Sequence, residues 1–380
     1  MDFFDFLLQS FKEITWQNLV MFAIGFLLIF LAIRFKVEPS LLLPIGFGAI
    51  LVNIPLSGVL TQMIGGEEAH GAIQILYNFG ISMGELFPLL LFIGIGAMID
   101  FGPLLSNPKL IFFGAAAQVG IFVTIIIATA IGFDLKDAAS IGIIGAADGP
   151  TAILVANVLK SQYVGPITVV AYSYMALVPI IQPLAIKMVT TKKERKIRMP
   201  YNPKTVSKTA KVIFPIAVTL IAGLIAPESL ALVGFLMFGN LLRECGVLDG
   251  LAETARTSLV NLITLLLGLS IAFTMQAKDF LTWQTVMIMG LGLAAFVFDT
   301  IGGVLFAKVI NLFTKNKINP MVGAAGISAF PMSARVVQKM GLEADPENHL
   351  LMHAVSANVS GQIASVLAGG VILSLFSGLL

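Results

Sequence analysis

The sequence predicts an all-α polytopic membrane protein with about ten transmembrane helices in two inverted-topology repeats, each holding one re-entrant hairpin. Three observations predict this. Of 380 residues, 57% are hydrophobic and only 12% are charged, about half the charged share of ordinary soluble domains. Apolar runs of about 20 residues, the length that crosses a bilayer core, recur along the whole chain. Two further apolar segments are broken by Gly, Pro, Ser and Thr. No stretch of roughly 100 residues is polar enough to stand as a separate soluble domain.

The opening Met1-Asp2-Phe3-Phe4-Asp5 is acidic where a secretory signal is basic, so the first apolar run is expected to remain as a span. In the first half, spans are expected near 16 to 36, 40 to 60, 84 to 104, 109 to 132 and 163 to 188. In the second they fall near 210 to 226, 229 to 245, 257 to 276, 282 to 312 and 350 to 378. Segments 138 to 160 and 318 to 340 fit poorly as straight spans and read as hairpins. Broken backbone survives at membrane depth only where protein or a water-filled cavity satisfies it. The chain thus divides into a first repeat (1–190), a basic linker (191–209) and a second repeat (210–380).

Residues 187 to 211 carry nine Lys or Arg against the single acid Glu194, the strongest charge run in the protein. By the positive-inside rule this linker is cytoplasmic, and it also suits contact with anionic lipid or docking of a soluble partner. Threading the spans outward from it leaves only Lys12, Lys136, Lys160 and Lys278 of the 23 basic residues outside, together with both termini. A net charge of +2 argues against a nucleic-acid partner. The lone Cys245 permits no internal disulfide, and without clustered His or Cys there is no thiolate metal site.

The linker separates halves that echo each other. Pro39-Ser40-Leu41-Leu42-Leu43-Pro44 is answered by Glu228-Ser229-Leu230-Ala231-Leu232-Val233. Likewise Gly145-Ala146-Ala147, ahead of Pro150, is answered by Gly323-Ala324-Ala325, ahead of Pro331. Five spans plus a hairpin make an odd number of crossings, so the second copy inserts upside down. Such halves send their hairpins in from opposite faces, with tips meeting near the midplane, as in elevator-type architecture.

Asp148 has no basic residue within ten positions on either side. A charge at a helix centre costs about 2.5 to 3.5 kcal/mol on insertion scales, so an intramembrane carboxylate marks a functional site. Gly149-Pro150 breaks the helix beside it, and freed carbonyls with the carboxylate make an oxygen-rich cage for Na⁺ or a proton. Capping of the helix that begins at Pro150 is compatible with that role. In the second hairpin, Asn319 and Ser328 offer neutral oxygens. Arg335 offers a guanidinium fork for a substrate carboxylate, or else snorkels to the membrane edge.

Tyr172 and Tyr174 lie two apart and point to different sides, so one faces the site as hydrogen-bond donor, ion ligand or proton donor, unless both belong to an interfacial belt. Asn358 lies on the last span, opposite the second hairpin. Gly361, Ser365 and Gly369 recur every four residues there and read as a helix-packing face. Asp299 is either a second ion ligand or a carboxylate bonded locally to Thr300 and Lys308. No GxxxxGK[ST] phosphate loop is present, so uphill transport would draw on another source than that machinery.

These residues carry a resemblance that covers nearly the whole chain. Its stretches are Gly94-Ile95-Gly96-Ala97-Met98 with Asp100-Phe101-Gly102-Pro103-Leu104-Leu105, Asp148-Gly149-Pro150-Thr151-Ala152-Ile153, Tyr172 to Pro179, Glu194-Arg195-Lys196-Ile197-Arg198-Met199, and Lys317 to Arg335. By them the chain resembles the membrane-embedded beta subunits of the sodium-pumping, biotin-dependent decarboxylases, which comprise the oxaloacetate, methylmalonyl-CoA, glutaconyl-CoA and malonate enzymes. The resemblance implies that Na⁺ is held by Asp148, Asn319, Ser328 and Asn358. It implies a coupling or proton-delivery role for Tyr174 and Na⁺ handling at Gly323; with the residues' own chemistry, the expected catalytic residues are Asp148, Tyr174, Arg335 and Tyr172, and the expected carboxybiotin contacts are Arg335, Ser328 and Gly323. Asp299 has no counterpart in the family pattern.

The resemblance further implies that this subunit decarboxylates carboxybiotin while Na⁺ leaves the cell and a periplasmic proton is consumed. No Met-Lys-Met biotinylation segment is present, so the biotin comes on another chain. Implied partners are a biotin carrier protein or domain, a soluble carboxyltransferase alpha subunit, a small membrane gamma/delta subunit and further copies of this chain, in a bacterial cytoplasmic (inner) membrane. The short link between the second and third spans resembles the CoA-thioester members more than the oxaloacetate ones. The rival is an elevator-type Na⁺-coupled secondary transporter, a carboxylate carrier or Na⁺/H⁺ antiporter, which needs no biotin partner. A non-transporting scaffold is disfavoured by Asp148 within a broken helix.

Overall fold

The computed structural model describes residues 9–36, 39–64, 66–83, 85–200 and 205–376. Helix α1 (Trp16–Phe35) opens on a capping box between Thr15 and Asn18, each side chain accepting the other's backbone N–H. Next comes α2 (Pro39–Val52), then a two-stranded antiparallel hairpin of β1 (Gln62–Ile64) and β2 (Glu67–Ala69), which the all-α expectation did not include. The third apolar segment starts at residue 72 rather than 84 and is a bent helix pair. It comprises α3 (Ala72–Tyr77), a π turn (Asn78–Ser82) that absorbs its polar and glycine residues, and α4 (Leu86–Met98), with a 63° bend. Helix α5 (Pro108–Ala130) has a break at Gln118. It is followed by α6 (Leu135–Gly142), α7 (Gly149–Val158) and α8 (Val164–Val189).

After the linker come α9 (Lys208–Ile225), α10 (Leu230–Glu244), α11 (Asp249–Met275), α12 (Trp283–Phe313), α13 (Pro320–Ala324), α14 (Met332–Ala344) and α15 (Leu351–Phe376). Among the described residues six helices are long and apolar enough to cross a membrane, or eight when each bent pair is one span, against the ten expected. The shortfall lies in α2 and α10, of 14 and 15 residues. Asn53 ends α2: its Nδ2 donates to Ala49 O and Met275 O, and its Oδ1 accepts from Ala277 N, each at 2.8 Å. That ties the end of α2 to the end of α11.

Apart from the β hairpin, the two halves present the same order of helices, and their packing is reciprocal. α4 lies on α10 and α2 on α11; α8 lies on α12 and α5 on α15; α6 lies on α5 and α13 on α12. Exchange of the halves turns each pair into its partner. Small residues make the closest contacts. A Cβ on Gly96 would sit 1.9 Å from Leu236 O, and one on Gly239 would sit 1.9 Å from Ile93 O, so α4 and α10 touch backbone to backbone. The main core cluster is built around α5 to α8 and α12 to α15, and it encloses both broken hairpins.

Candidate functional site

Asp148 owes its position to a broken turn. After α6 the chain makes a 3₁₀ turn (Ile143–Ala146), and Ala147 enters the left-handed region at φ 54, ψ 44. That conformation costs roughly 1 to 2 kcal/mol for a residue with a Cβ, and strain of this kind is held at functional sites. Asp148 is then extended and caps α7, accepting from Thr151 N at 3.4 Å and Thr151 Oγ1 at 2.8 Å. Pro150 in the first turn lacks the N–H that would otherwise need a partner.

The second break joins the first directly. Between α13 and α14, Ser328 N donates to Ala146 O at 3.0 Å. Ser328 Oγ lies 3.3 Å from Asp148 Oδ2. Ser365 Oγ of α15 lies 2.8 Å from the same oxygen and 3.1 Å from Ser328 Oγ. Two amides of α15 hold the exposed backbone of the break: Asn358 Nδ2 donates to Ile327 O at 2.7 Å, and Gln362 Nε2 donates to Ser328 O.

Asp148 is buried, at 5% exposure. Hydroxyls and one backbone N–H support its charge, and among the described residues no Lys or Arg forms an ion pair with it. Three neighbouring or supporting atoms lack partners: Asn358 Oδ1, Gln362 Oε1 and the Tyr172 hydroxyl. The Tyr172 ring lies against Gly149, where a Cβ would come within 2.3 Å of it. Buried polar atoms without partners are costly. A carboxylate, two serine oxygens and unpartnered amide oxygens form a donor set for a hard monovalent cation or a proton, and none of these groups is a soft ligand.

The structure thus gathers Asp148, Ser328, Asn358 and Tyr172, and it places the other expected residues elsewhere. Asn319 caps α13 with Oδ1 and spends Nδ2 on the linker carbonyls of Arg195 (2.9 Å) and Ile197 (2.8 Å). Tyr174 donates its hydroxyl to Met289 O at 2.5 Å. Gly323 packs on Gly303 of α12, with a Cβ clash of 2.0 Å onto its carbonyl. Arg335 is exposed on α14. It lines a groove of about 440 Å³ between α8 and α14, with Pro179, Pro183 and Lys339. An adjoining groove of about 290 Å³ is rimmed by Lys187, Lys192, Arg195 and Lys196 of the linker region.

Three site residues escaped the sequence reading. Ser365 was expected only in a packing face, and Gly361 and Gly369 do pack there, against Gly326 O and Thr151 Cγ2. The missed signal was the spacing of Asn358, Gln362 and Ser365, which puts three polar side chains on one face of an apolar helix. Thr151 lay inside a quoted motif without a role. The local bonding expected for Asp299 is not found: Lys308 pairs with Glu194 at 2.9 Å, and the Thr300 hydroxyl has no partner.

The linker is fastened at both mouths of the second hairpin. Asn348 Nδ2, like that of Asn319, donates to Arg195 O, and Arg198 pairs with Asp345 and Glu347. The Arg198 guanidinium holds the Asp345 carboxyl below its ordinary value. Partial burial pushes Glu194 up, but the Thr191 N–H and Lys308 outweigh it and leave that carboxyl low.

Comparison with known proteins shows the family. The family description Na⁺-transporting oxaloacetate decarboxylase beta subunit matches residues 17–376. The glutaconyl-CoA decarboxylase subunit beta of Acidaminococcus fermentans is 47% identical over 370 residues, covering 97% of this chain and 96% of the relative. The methylmalonyl-CoA decarboxylase subunit beta of Propionigenium modestum is 47% identical over 385 residues, covering 97% of each. The oxaloacetate decarboxylase beta chain of Klebsiella pneumoniae is 44% identical over 408 residues, covering 93% of this chain and 94% of the relative. With the whole length matched, the chain belongs to the beta-subunit family of Na⁺-transporting, biotin-dependent decarboxylases and is a multi-pass membrane subunit that couples decarboxylation to Na⁺ transport.

Proposed function

We propose that Na⁺ binds at Asp148, Ser328 and Ser365, with Asn358 and Gln362 turning their free oxygens toward it, and that carboxybiotin enters through the groove at Arg335. The observation that carries this reading is the buried carboxylate at the meeting of two helix breaks, ringed by hydroxyls and unpartnered oxygens. The Arg335 fork suits a planar carboxylate, and the neighbouring lysines raise the local concentration of an anionic carrier. The linker is cytoplasmic and both termini lie outside, in a bacterial inner membrane. The carrier is a biotinylated protein or domain, charged by a soluble carboxyltransferase alpha subunit. A small membrane gamma/delta subunit and further copies of this chain complete the complex.

Decarboxylation breaks the ureido N–C bond, releases CO₂ and leaves the electron pair on nitrogen, which takes up a proton. Tyr172, whose hydroxyl has no partner, is freer to pass that proton than Tyr174, which is tied to Met289. Reciprocal packing of the halves supports inverted repeats, and their relative movement would expose the Asp148 group to each side in turn. The test uses the whole complex in liposomes. Carboxybiotin should be decarboxylated only with Na⁺ present, and Na⁺ should accumulate in an avidin-sensitive way. Na⁺ flux untouched by avidin would sink this reading in favour of a secondary transporter.

A further inference from the structure

Asp299 lies outside the proposed Na⁺ group. It sits near the midpoint of the 31-residue α12 and is fully buried, at 0% exposure. Its Oδ1 accepts the backbone N–H of Ile121 at 3.2 Å, in the first turn of the Val119–Ala130 half of α5. At the break, that N–H also donates to Gln118 O at 3.2 Å, so Asp299 shares the capping of the half-helix from across the interface. Its Oδ2 has no partner among the described residues. That oxygen faces the turn of the first hairpin: a Cβ on Gly145 would come within 2.5 Å of it, and one on Gly120 would come within 2.5 Å of Oδ1. Two glycines therefore let two backbones close over one carboxyl group.

Titratable groups on the elements packed against α12 are Lys109 on α5, Lys136 and Asp137 on α6 and Tyr172, Tyr174 and Lys187 on α8. None of them bonds to Asp299, and Lys308 on its own helix is engaged by Glu194. An ionised carboxylate with an unpartnered oxygen is strongly disfavoured in such surroundings. The neutral acid keeps Oδ1 as the acceptor for Ile121 and carries no charge on Oδ2.

We propose that Asp299 is a second, proton-binding site that opens and shuts with the first hairpin. With the turn at Gly145 seated on α12, only the acid form fits. When the hairpin lifts away, water reaches Oδ2, the O–H bond breaks, the proton passes to water and a solvated carboxylate remains. Reseating takes one proton back up. The same hairpin carries Asp148 three residues beyond Gly145, so a movement that exposes the Na⁺ ligand also exchanges a proton at a separate address. This deepens the proposed function and rests on it for the source of the movement.

The test uses the complete complex in membranes. Asp299→Asn preserves size and an acceptor for Ile121 but exchanges no carboxyl proton. Turnover should fall by at least about a hundredfold, the scale of a lost proton-transfer group, while Na⁺ affinity stays unchanged. The infrared C=O band of a buried protonated carboxyl should be present in the wild type and absent in the variant. In the wild type alone, that band should take up deuterium from D₂O only during turnover. Wild-type turnover in Asp299→Asn, a band that survives the substitution, or deuterium exchange equally fast at rest would each overturn the proposal. If the complex shows no Na⁺-dependent decarboxylation at all, the pump reading fails, and the band's loss or survival in Asp299→Asn still decides whether Asp299 holds a proton.

Discussion

The two broken hairpins meet through a single backbone hydrogen bond, from Ser328 N to Ala146 O, but they are built on different plans. The first carries the charge at its break and is closed on itself, since Asp137 Oδ1 accepts from Ser161 Oγ at 2.6 Å and Gln162 N at 3.1 Å across its outer ends. The second brings a neutral serine to the break. Its arms are pinned by Gln182 of α8, which donates to Ala324 O at 2.8 Å and Ser333 Oγ at 2.6 Å, and its mouth is strapped by the linker. On the proposed reading, ion chemistry thus depends on a self-contained element, whereas access depends on one whose strap includes the exposed Arg198 pairs with Asp345 and Glu347. Salt and acid should act on the second far more than on the first.

Breaking the charged side of this contrast should have the largest effect. Asp148→Asn is expected to bring turnover to background and abolish Na⁺ protection of the complex, measured as liposome flux and protection from inactivation; an active variant would move the ion site elsewhere. Ser365→Ala removes a hydroxyl 2.8 Å from the carboxylate. Ser365 Oγ is an oxygen of the proposed Na⁺ group, and loss of a ligand contributing about 1.5 to 3 kcal/mol, the scale of a polar contact to a charged group, should weaken Na⁺ affinity by roughly 10- to 100-fold. Ser328→Ala, at the longer 3.3 Å contact, should cost less in the same titration.

Two weaker effects probe the strapped side. Asn319→Ala should leave Na⁺ affinity near wild type while the linker becomes more open to proteolysis. A loss of affinity as large as that of Ser365→Ala would make Asn319 an ion ligand and erase the contrast. Asp345 is held low by Arg198, so its contribution is complete above the ordinary carboxylate range near 3.9 and is lost as pH falls through the lowered value. A spin label on the linker should therefore gain mobility in acid, and Asp345→Asn should flatten that response. A label on the first hairpin should show no such change.

Much of the architecture was legible because the bilayer makes backbone satisfaction and charge placement severe constraints. The hairpin breaks follow from Gly149 and Pro150 and from Pro331, and Asp148 stood out because nothing basic lies near it. Asn319 was harder to read. An asparagine oxygen suits Na⁺ as well as a helix cap, and only the fold reveals that its amide is spent on the linker. Ser365 was hidden because a serine among spaced glycines satisfies a packing pattern and a ligand pattern at once. The end of α2 was misjudged because Asn53 finds its partners more than 200 positions away, beyond any local signal.

Ser365 has one hydroxyl proton and three acceptors within reach: Asp148 Oδ2, Ser328 Oγ and the carbonyl of Gln362 at 3.0 Å. A hydroxyl donates to one acceptor at a time. Without a cation the proton is best placed on the carboxylate. At the proposed Na⁺ site, an arriving positive charge would repel it and turn it toward the helix carbonyl, presenting a lone pair to the ion. On the proposed reading, Ser365 therefore registers the ion by rotation of its O–H between the carboxylate and the Gln362 carbonyl of α15.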